Sequence, residues 1–213
     1  MTAMTVDFSL YLITDRTCLP AGRTLIDAVE AALAGGVRAV QLREKDLSAA
    51  QLYPLACALR ERTAHYGAQL LINDRLDLAL AVQADGVHLG EHSLPTAVAR
   101  KVLGAGYLIG VSTHAHHQIR SAHENGADFV TFGPVFETPS KARFGPPQGI
   151  ETLRCTCATS PLPVFGLGGI EHRNLPQVLS AGVQGVALIR AILAATDPAM
   201  AAGNLLKAIN PPA

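Results

Sequence analysis

Residues 31–42 read AALAGGVRAVQL, and the same tune returns in ALAVQADGVHL (79–89), AHENGADFVTF (122–132) and VLSAGVQGVALI (178–189). Each stretch closes an amphipathic run, turns at Gly or Ala-Asp-Gly, and enters a short β-branched apolar run. Glycine at the end of a helix supplies the left-handed conformation that stops it. A brief apolar run without a polar face fits a parallel strand covered on both sides. Repetition of this unit along the whole chain predicts an α/β fold with a parallel sheet.

Working outward from these stretches, eight strands are expected: LYLIT (10–14), AVQLR (39–43), LLIND (70–74), GVHLG (86–90), LIGVS (108–112), DFVTFG (128–133), PVFGLG (163–168) and GVALI (185–189). Helical patterns separate them, and a last one follows Ile189. Eight strands in 213 residues make a compact (β/α)8 TIM barrel. The competing doubly wound sheet usually carries a glycine fingerprint after its first strand, and LYLITDRTCLPAG (10–22) has none. No linker, low-complexity tract or shift in composition divides the chain, so a single domain over residues 1–213 is expected.

The composition, 49% hydrophobic with six Phe, four Tyr and no Trp, is enough for a large aliphatic core. Lysine and arginine together number 17, as do aspartate and glutamate, so nothing calls for nucleic acid or an anionic membrane as partner. Positive charge, where it matters, must be local. Cys155 and Cys157 are one residue apart, which matches neither a CxxC redox pair nor a zinc knuckle, and they read as ordinary thiols on a helix. MTAMTVDFSLYLITDR shows no basic segment followed by an apolar one, and no apolar run is long enough to span a bilayer. The protein reads as soluble and cytoplasmic.

Chemistry-bearing residues gather where apolar runs give way to polar ones, the C-terminal end of each expected strand. In QLREK (41–45), Gln41, Arg43 and Lys45 are two apart, so all three are expected to share one face, the interior of the bowl. LINDR (71–75) places Asn73 and Asp74 at a strand-to-helix turn, as substrate donor and magnesium ligand or as a cap for the next helix. His88 stands in DGVHLG, and Ser112 and His114 in GVSTHAHH; a serine hydroxyl suits a phosphate and an imidazole suits proton transfer near neutral pH. FGPVFETPSKARFGPPQG (132–149) is long for a loop in a compact domain, so it reads as a functional lid with Thr138, Ser140 and Lys141 as phosphate contacts. FGLGGI (165–170) and GVALIR (185–190) suggest the phosphate cradle many barrels build after strands seven and eight, from the backbone at Gly168, Gly169 and Ile189. A bowl with several cations, one carboxylate and amides suits a phosphate or diphosphate.

In this order and over nearly the whole chain, QLREK, IND, DGVHLG, GVSTH, the FGPVF-x-T-x-S-K lid, PQG, GGI and the last-strand site resemble the thiamine phosphate synthase family, whose relatives include thiazole tautomerases of the same fold. The resemblance implies that a hydroxymethylpyrimidine diphosphate loses pyrophosphate and is captured by the nitrogen of a thiazole phosphate. It implies that Gln41, Arg43, Lys45, Asn73, His88, Ser112 and Lys141 hold the diphosphate substrate. Thr138 and Ser140, with the backbone at Gly169 and Ile189, would meet the thiazole phosphate, and Asp74 would bind Mg2+. Family members often associate through barrel helices, so a homo-oligomer is compatible with the resemblance. Two positions depart from the pattern. Synthases typically read HLGQED where this chain reads HLGEHS (88–93), so Ser93 stands in place of the second magnesium carboxylate, with Glu91 and His92 as shifted substitutes. Arg190 replaces a small serine and either strengthens or crowds the phosphate contact. Loss of the metal carboxylate also occurs in the tautomerase branch, where His114 would move the proton that aromatises a carboxythiazole phosphate. A third reading is a regulator that binds these phosphates without turnover.

Overall fold

The computed structural model describes residues 5–138 and 146–211. Eight strands, β1 (Leu10–Ile13), β2 (Ala39–Leu42), β3 (Gln69–Asn73), β4 (Gly86–Leu89), β5 (Leu108–Thr113), β6 (Phe129–Phe132), β7 (Val164–Leu167) and β8 (Gly185–Leu188), form a closed barrel in chain order. All neighbours are parallel, and β8 returns to β1 with Leu10 opposite Val186. The helices between them are α1 (Leu25–Ala34), α2 (Ala49–His65), α3 (Leu76–Ala81), α4 (Thr96–Leu103), α5 (His116–Glu124), α6 (Gly149–Thr159) and α7 (Leu175–Leu179). After β8 come α8 (Arg190–Leu193) and α9 (Pro198–Ile209). The expected (β/α)8 TIM barrel is what forms. Among the described residues, no helix is long and apolar enough to cross a membrane.

The recurring Ala-Asp before a strand has a physical cause. Asp85, just ahead of β4, accepts from the Leu70 N–H of β3 (2.7 Å) and from Arg60 of α2 (2.5 Å). Asp128, just ahead of β6, accepts from the Ile109 N–H of β5 (2.6 Å) and from Arg100 of α4 (2.6 Å). Each aspartate staples a strand to its neighbour and to a helix, with charge-assisted bonds of about 1.5–3 kcal/mol. Helix starts are equally local: the Thr24 hydroxyl accepts from the Asp27 N–H (3.1 Å), and Asp197 accepts from the Met200 N–H (2.9 Å).

Strand alternation divides the core in two. Leu10, Leu12, Val40, Leu70, Ile72, Val87, Ile109, Val130, Val186 and Leu188 face outward and pack under the helices. Tyr11, Ala39, Leu71, Leu108, Phe129, Phe165 and Ala187 face inward, and Phe8 closes this inner cluster. The rings of Phe8, Tyr11, Phe129 and Phe165 sit with centroids from 5.0 to 6.3 Å apart, in stacked, tilted and edge-on pairs. The barrel is therefore solid at its centre, and a layer of polar side chains lies above this aromatic plug.

Candidate active site

One layer above the plug, the inward positions become Gln41, Asn73, His88, Ser112 and Thr131, brought side by side by the register pairs Asn73↔His88, His88↔Gly110 and Ser112↔Thr131. Gln41 and His88 are only 1% and 2% exposed, so they form the floor of the bowl. Gln41 Nε2 donates to the Tyr11 hydroxyl (3.0 Å), which lies 3.4 Å from His88 Nδ1. His88 Nε2 is 3.0 Å from Ser112 Oγ and 3.5 Å from Thr131 Oγ1. Room for the imidazole comes from Gly110: a β-carbon there would lie 2.5 Å from His88 Nδ1 and 2.4 Å from the Phe129 ring.

Burial pushes the His88 imidazole down to about 3, helped by the positive charge of Arg43 and opposed by Asp74. It is neutral at physiological pH. The unfolded chain, with an ordinary histidine near 6.5, binds more protons between those two values. This group's contribution to stability is therefore complete above about pH 6.5 and is lost as pH falls through the window toward 3. By pH 4 the loss from this group is expected to be about 3 kcal/mol. Denaturant melts of wild type and His88→Gln at pH 7 and pH 4 would show it as a difference between the two pH responses; parallel responses would contradict it.

The shared face expected for Gln41, Arg43 and Lys45 does not extend that far, because β2 ends at Leu42. Arg43 is half-buried with its N–H donating to Thr14 Oγ1 (2.8 Å), and its charge is felt at His88. Lys45 is exposed and lines a cleft of about 240 Å³ with Glu44, Asn73, Asp74 and Arg75, between the β2–α2 and β3–α3 loops. Among the described residues neither cation pairs with a carboxylate. Nearby arginines are committed: Arg16 to Glu44 and Asp46, Arg75 to Asp77.

Asn73 and Asp74 do not cap α3, whose N-cap is Arg75 without a side-chain bond. Instead Asp74 is the centre of a tight turn with φ 62°, the Arg75 N–H donating to the Asn73 carbonyl (2.7 Å). A three-residue turn with positive φ at a non-glycine residue is rare and strained, by roughly 1–3 kcal/mol. Its carboxylate is held at both oxygens, by Asn73 Nδ2 (2.7 Å) and by the Ser93 hydroxyl, which also accepts from the Gly90 N–H (2.6 Å). Glu91 and His92 are exposed. Among the described residues, no cluster of three or more His, Cys, Asp and Glu is placed to hold a metal. Asp74 alone nonetheless fits magnesium, which commonly takes one or two carboxylates and completes its shell with water and substrate phosphates.

On the opposite rim, Gly168 and Gly169 have φ 99° and 64°, and side chains there would strike Pro134 and the Glu137 carbonyl, each at 2.6 Å. The pair thus lets the β6–α6 loop lie against β7, where Phe136 N–H donates to the Gly168 carbonyl (3.0 Å). Ile189 is the N-cap of α8 and Arg190 its exposed first residue. His114 is exposed, its Nδ1 on the Gly133 carbonyl. Thr138 is half-buried, while Ser140 and Lys141 lie outside the described residues. Cys155 and Cys157 are free thiols on α6, and burial pushes Cys157 up to about 11.

The chain as a whole has close counterparts. The sequence profile of the thiamine monophosphate synthase family matches residues 10–192. The chain belongs to that family. Over 206 residues it is 58% identical to a Geobacter sulfurreducens protein whose thiamine-phosphate synthase name is provisional, covering 97% of this chain and 96% of the relative. It is 44% identical to the thiamine-phosphate synthase of Moorella thermoacetica over 95% of this chain and 96% of the relative. The solved thiamine phosphate pyrophosphorylase of Pyrococcus furiosus superposes with a TM-score of 0.85 at 36% identity, covering 94% of this chain and 95% of the other. Membership makes the chain an enzyme of thiamine biosynthesis of the thiamine-phosphate diphosphorylase type. Tyr11 and Thr131 were not among the residues expected at the site; a tyrosine on the inward face of LYLIT, needing a partner for its hydroxyl once buried, was the available signal.

Proposed function

We propose that this enzyme couples hydroxymethylpyrimidine diphosphate to thiazole phosphate, releasing pyrophosphate and forming thiamine phosphate. The observation that carries the reading is the pair of cations, Arg43 and Lys45, which among the described residues pair with no carboxylate, Lys45 sharing its cleft with the Asn73-held carboxylate of Asp74. Breaking the bond to a diphosphate builds negative charge on the leaving group, and preorganised cations are effective against developing charge. Arg43 and Lys45, with Lys141 by motif, would take the diphosphate, and the Ser112 hydroxyl would donate to it. Asn73 would orient Asp74 and present its remaining N–H to substrate. Thr138, Ser140 and the backbone at Gly168, Gly169 and Ile189 would meet the thiazole phosphate, with Arg190 adding charge at that rim. Mg2+ bound at Asp74 would neutralise the diphosphate and complete its shell from phosphate oxygens and water. The neutral floor, with Gln41 and His88 sealed from solvent, keeps water from below the reacting centre. The enzyme would work in the cytoplasm on small phosphorylated molecules.

The test is pyrophosphate release from the two substrates, first with magnesium and then with EDTA. Metal-dependent release together with thiamine phosphate is the expected result. Absence of both products, with proton exchange on a carboxythiazole phosphate instead, would replace this reading.

A further inference from the structure

We propose that Tyr11 is a positioning residue, which through His88 turns the hydrogen of the Ser112 hydroxyl into the bowl, toward the anionic group of the substrate. No role was expected for Tyr11, and it touches no open surface: it is 0% exposed, inside the aromatic plug.

The direction of the relay follows from donor and acceptor counting. The Gln41 amide nitrogen only donates, so its bond to Tyr11 (3.0 Å) occupies a lone pair on the phenol oxygen. The phenol hydrogen then needs an acceptor, and His88 Nδ1, 3.4 Å away, is the ring nitrogen that faces it. Burial raises the Tyr11 pKa, so the hydrogen stays in place. With Nδ1 accepting, a neutral His88 must carry its one hydrogen on Nε2. That nitrogen faces Ser112 Oγ at 3.0 Å, with Thr131 Oγ1 farther off at 3.5 Å. Ser112 accepts, and its own hydrogen is left to point away from His88. Ser112 is half-buried near the top of β5, the first member of the chain that opens to the bowl. The opposite polarity, with hydrogen on Nδ1, would set two donors against the phenol oxygen and leave its hydrogen buried without an acceptor. An isolated serine hydroxyl rotates freely; this one is oriented before substrate arrives.

The synthase reading supplies only the identity of the anion, a diphosphate. The decisive measurement therefore needs no substrate. In protein labelled with 15N-histidine, the two-bond nitrogen–carbon-hydrogen correlations of His88, assigned by comparison with His88→Gln, report which nitrogen carries the hydrogen. Hydrogen on Nε2 is expected; hydrogen on Nδ1, or an even mixture, overturns the proposal. Tyr11→Phe removes the donor to Nδ1 and is expected to move His88 toward a mixture, with kcat for pyrophosphate release falling about three- to tenfold and KM moving less. Ser112→Ala sets the ceiling, at about ten- to a hundredfold. A folded Tyr11→Phe protein with an unchanged His88 spectrum and unchanged kcat also overturns the relay. Should Tyr11→Phe fail to fold, the wild-type spectrum decides alone. Nε2–H in a wild-type protein that releases no pyrophosphate would leave the relay standing and remove the synthase reading.

Discussion

Arg43→Ala is expected to slow pyrophosphate release by about 10²–10³-fold, the scale seen when one preorganised donor is removed from developing negative charge. The argument rests on position and on freedom. Arg43 follows β2 directly, and its backbone is anchored to Thr14 Oγ1 at 2.8 Å. Its charge helps to depress the pKa of His88, the buried imidazole in the floor of the bowl. Among the described residues it pairs with no carboxylate, so its charge is available to a ligand. Arg16, on the neighbouring β1–α1 loop, offers the contrast: it is bound to both Glu44 and Asp46 and has little left to give. Because the leaving group gains charge on the way to the transition state, kcat should fall more than KM rises. Arg43→Lys should recover part of the rate, since it restores the charge without the two-pronged geometry. Steady-state kinetics on these two variants suffices, and an Arg43→Ala enzyme near the wild-type rate would remove Arg43 from the diphosphate site.

The barrel was legible because one signal was written repeatedly. A helix end, a glycine or Ala-Asp turn and a short apolar run recur in AALAGGVRAVQL, ALAVQADGVHL, AHENGADFVTF and VLSAGVQGVALI, and each did lead into a strand: β2, β4, β6 and β8. Strand ends were less legible. AVQLR was expected to run to Arg43, but pairing with β3 stops at Leu42, so alternation no longer dictates where Arg43 and Lys45 point. Gln41 and His88 were read as lining the open bowl, and the structure places them in its sealed floor. Depth along a barrel axis depends on the stagger between strands, which a single strand's pattern does not encode. Tyr11 is hidden for the opposite reason: inside the apolar run LYLIT its position does not distinguish it from a core residue. The Asp74 turn was also hidden, since Asn-Asp before a helix usually signals a cap. Its positive φ comes instead from tertiary bonds, the Asp74 N–H on the His88 carbonyl (3.0 Å) and Ser93 on its carboxylate.

Asp74→Asn should lower the rate of pyrophosphate release by about 10²-fold or more while leaving the fold intact, and Ser93→Asp should move the system the other way. Asparagine tolerates the left-handed backbone that Asp74 adopts at φ 62°, so the substitution removes charge without breaking the turn. What disappears is the carboxylate that fits magnesium, and with it the partner for the metal-bound diphosphate. Circular dichroism and a melting temperature within a few degrees of wild type would establish that the loss is chemical. In wild type the Ser93 hydroxyl spends its hydrogen on Asp74 and receives one from the Gly90 N–H at 2.6 Å. That arrangement steadies a lone carboxylate but adds no second negative charge, so magnesium should bind appreciably only together with a diphosphate. Ser93→Asp sets two carboxylates against each other, which favours a divalent cation even without substrate. Magnesium at about a hundred times its dissociation constant would then add about 2.7 kcal/mol to the variant's stability. For a chain of this size each kcal/mol moves the melting temperature by about 2–4 °C, so a rise of roughly 5–10 °C is expected in Ser93→Asp and almost none in wild type. Inorganic pyrophosphate supplied with magnesium should narrow the difference, because it brings to wild type the oxygens that the serine lacks. Equal thermal shifts in wild type and variant with magnesium alone would mean that Ser93 does not face the metal position. The HLGEHS departure would then bear on some other contact than the one to the leaving diphosphate.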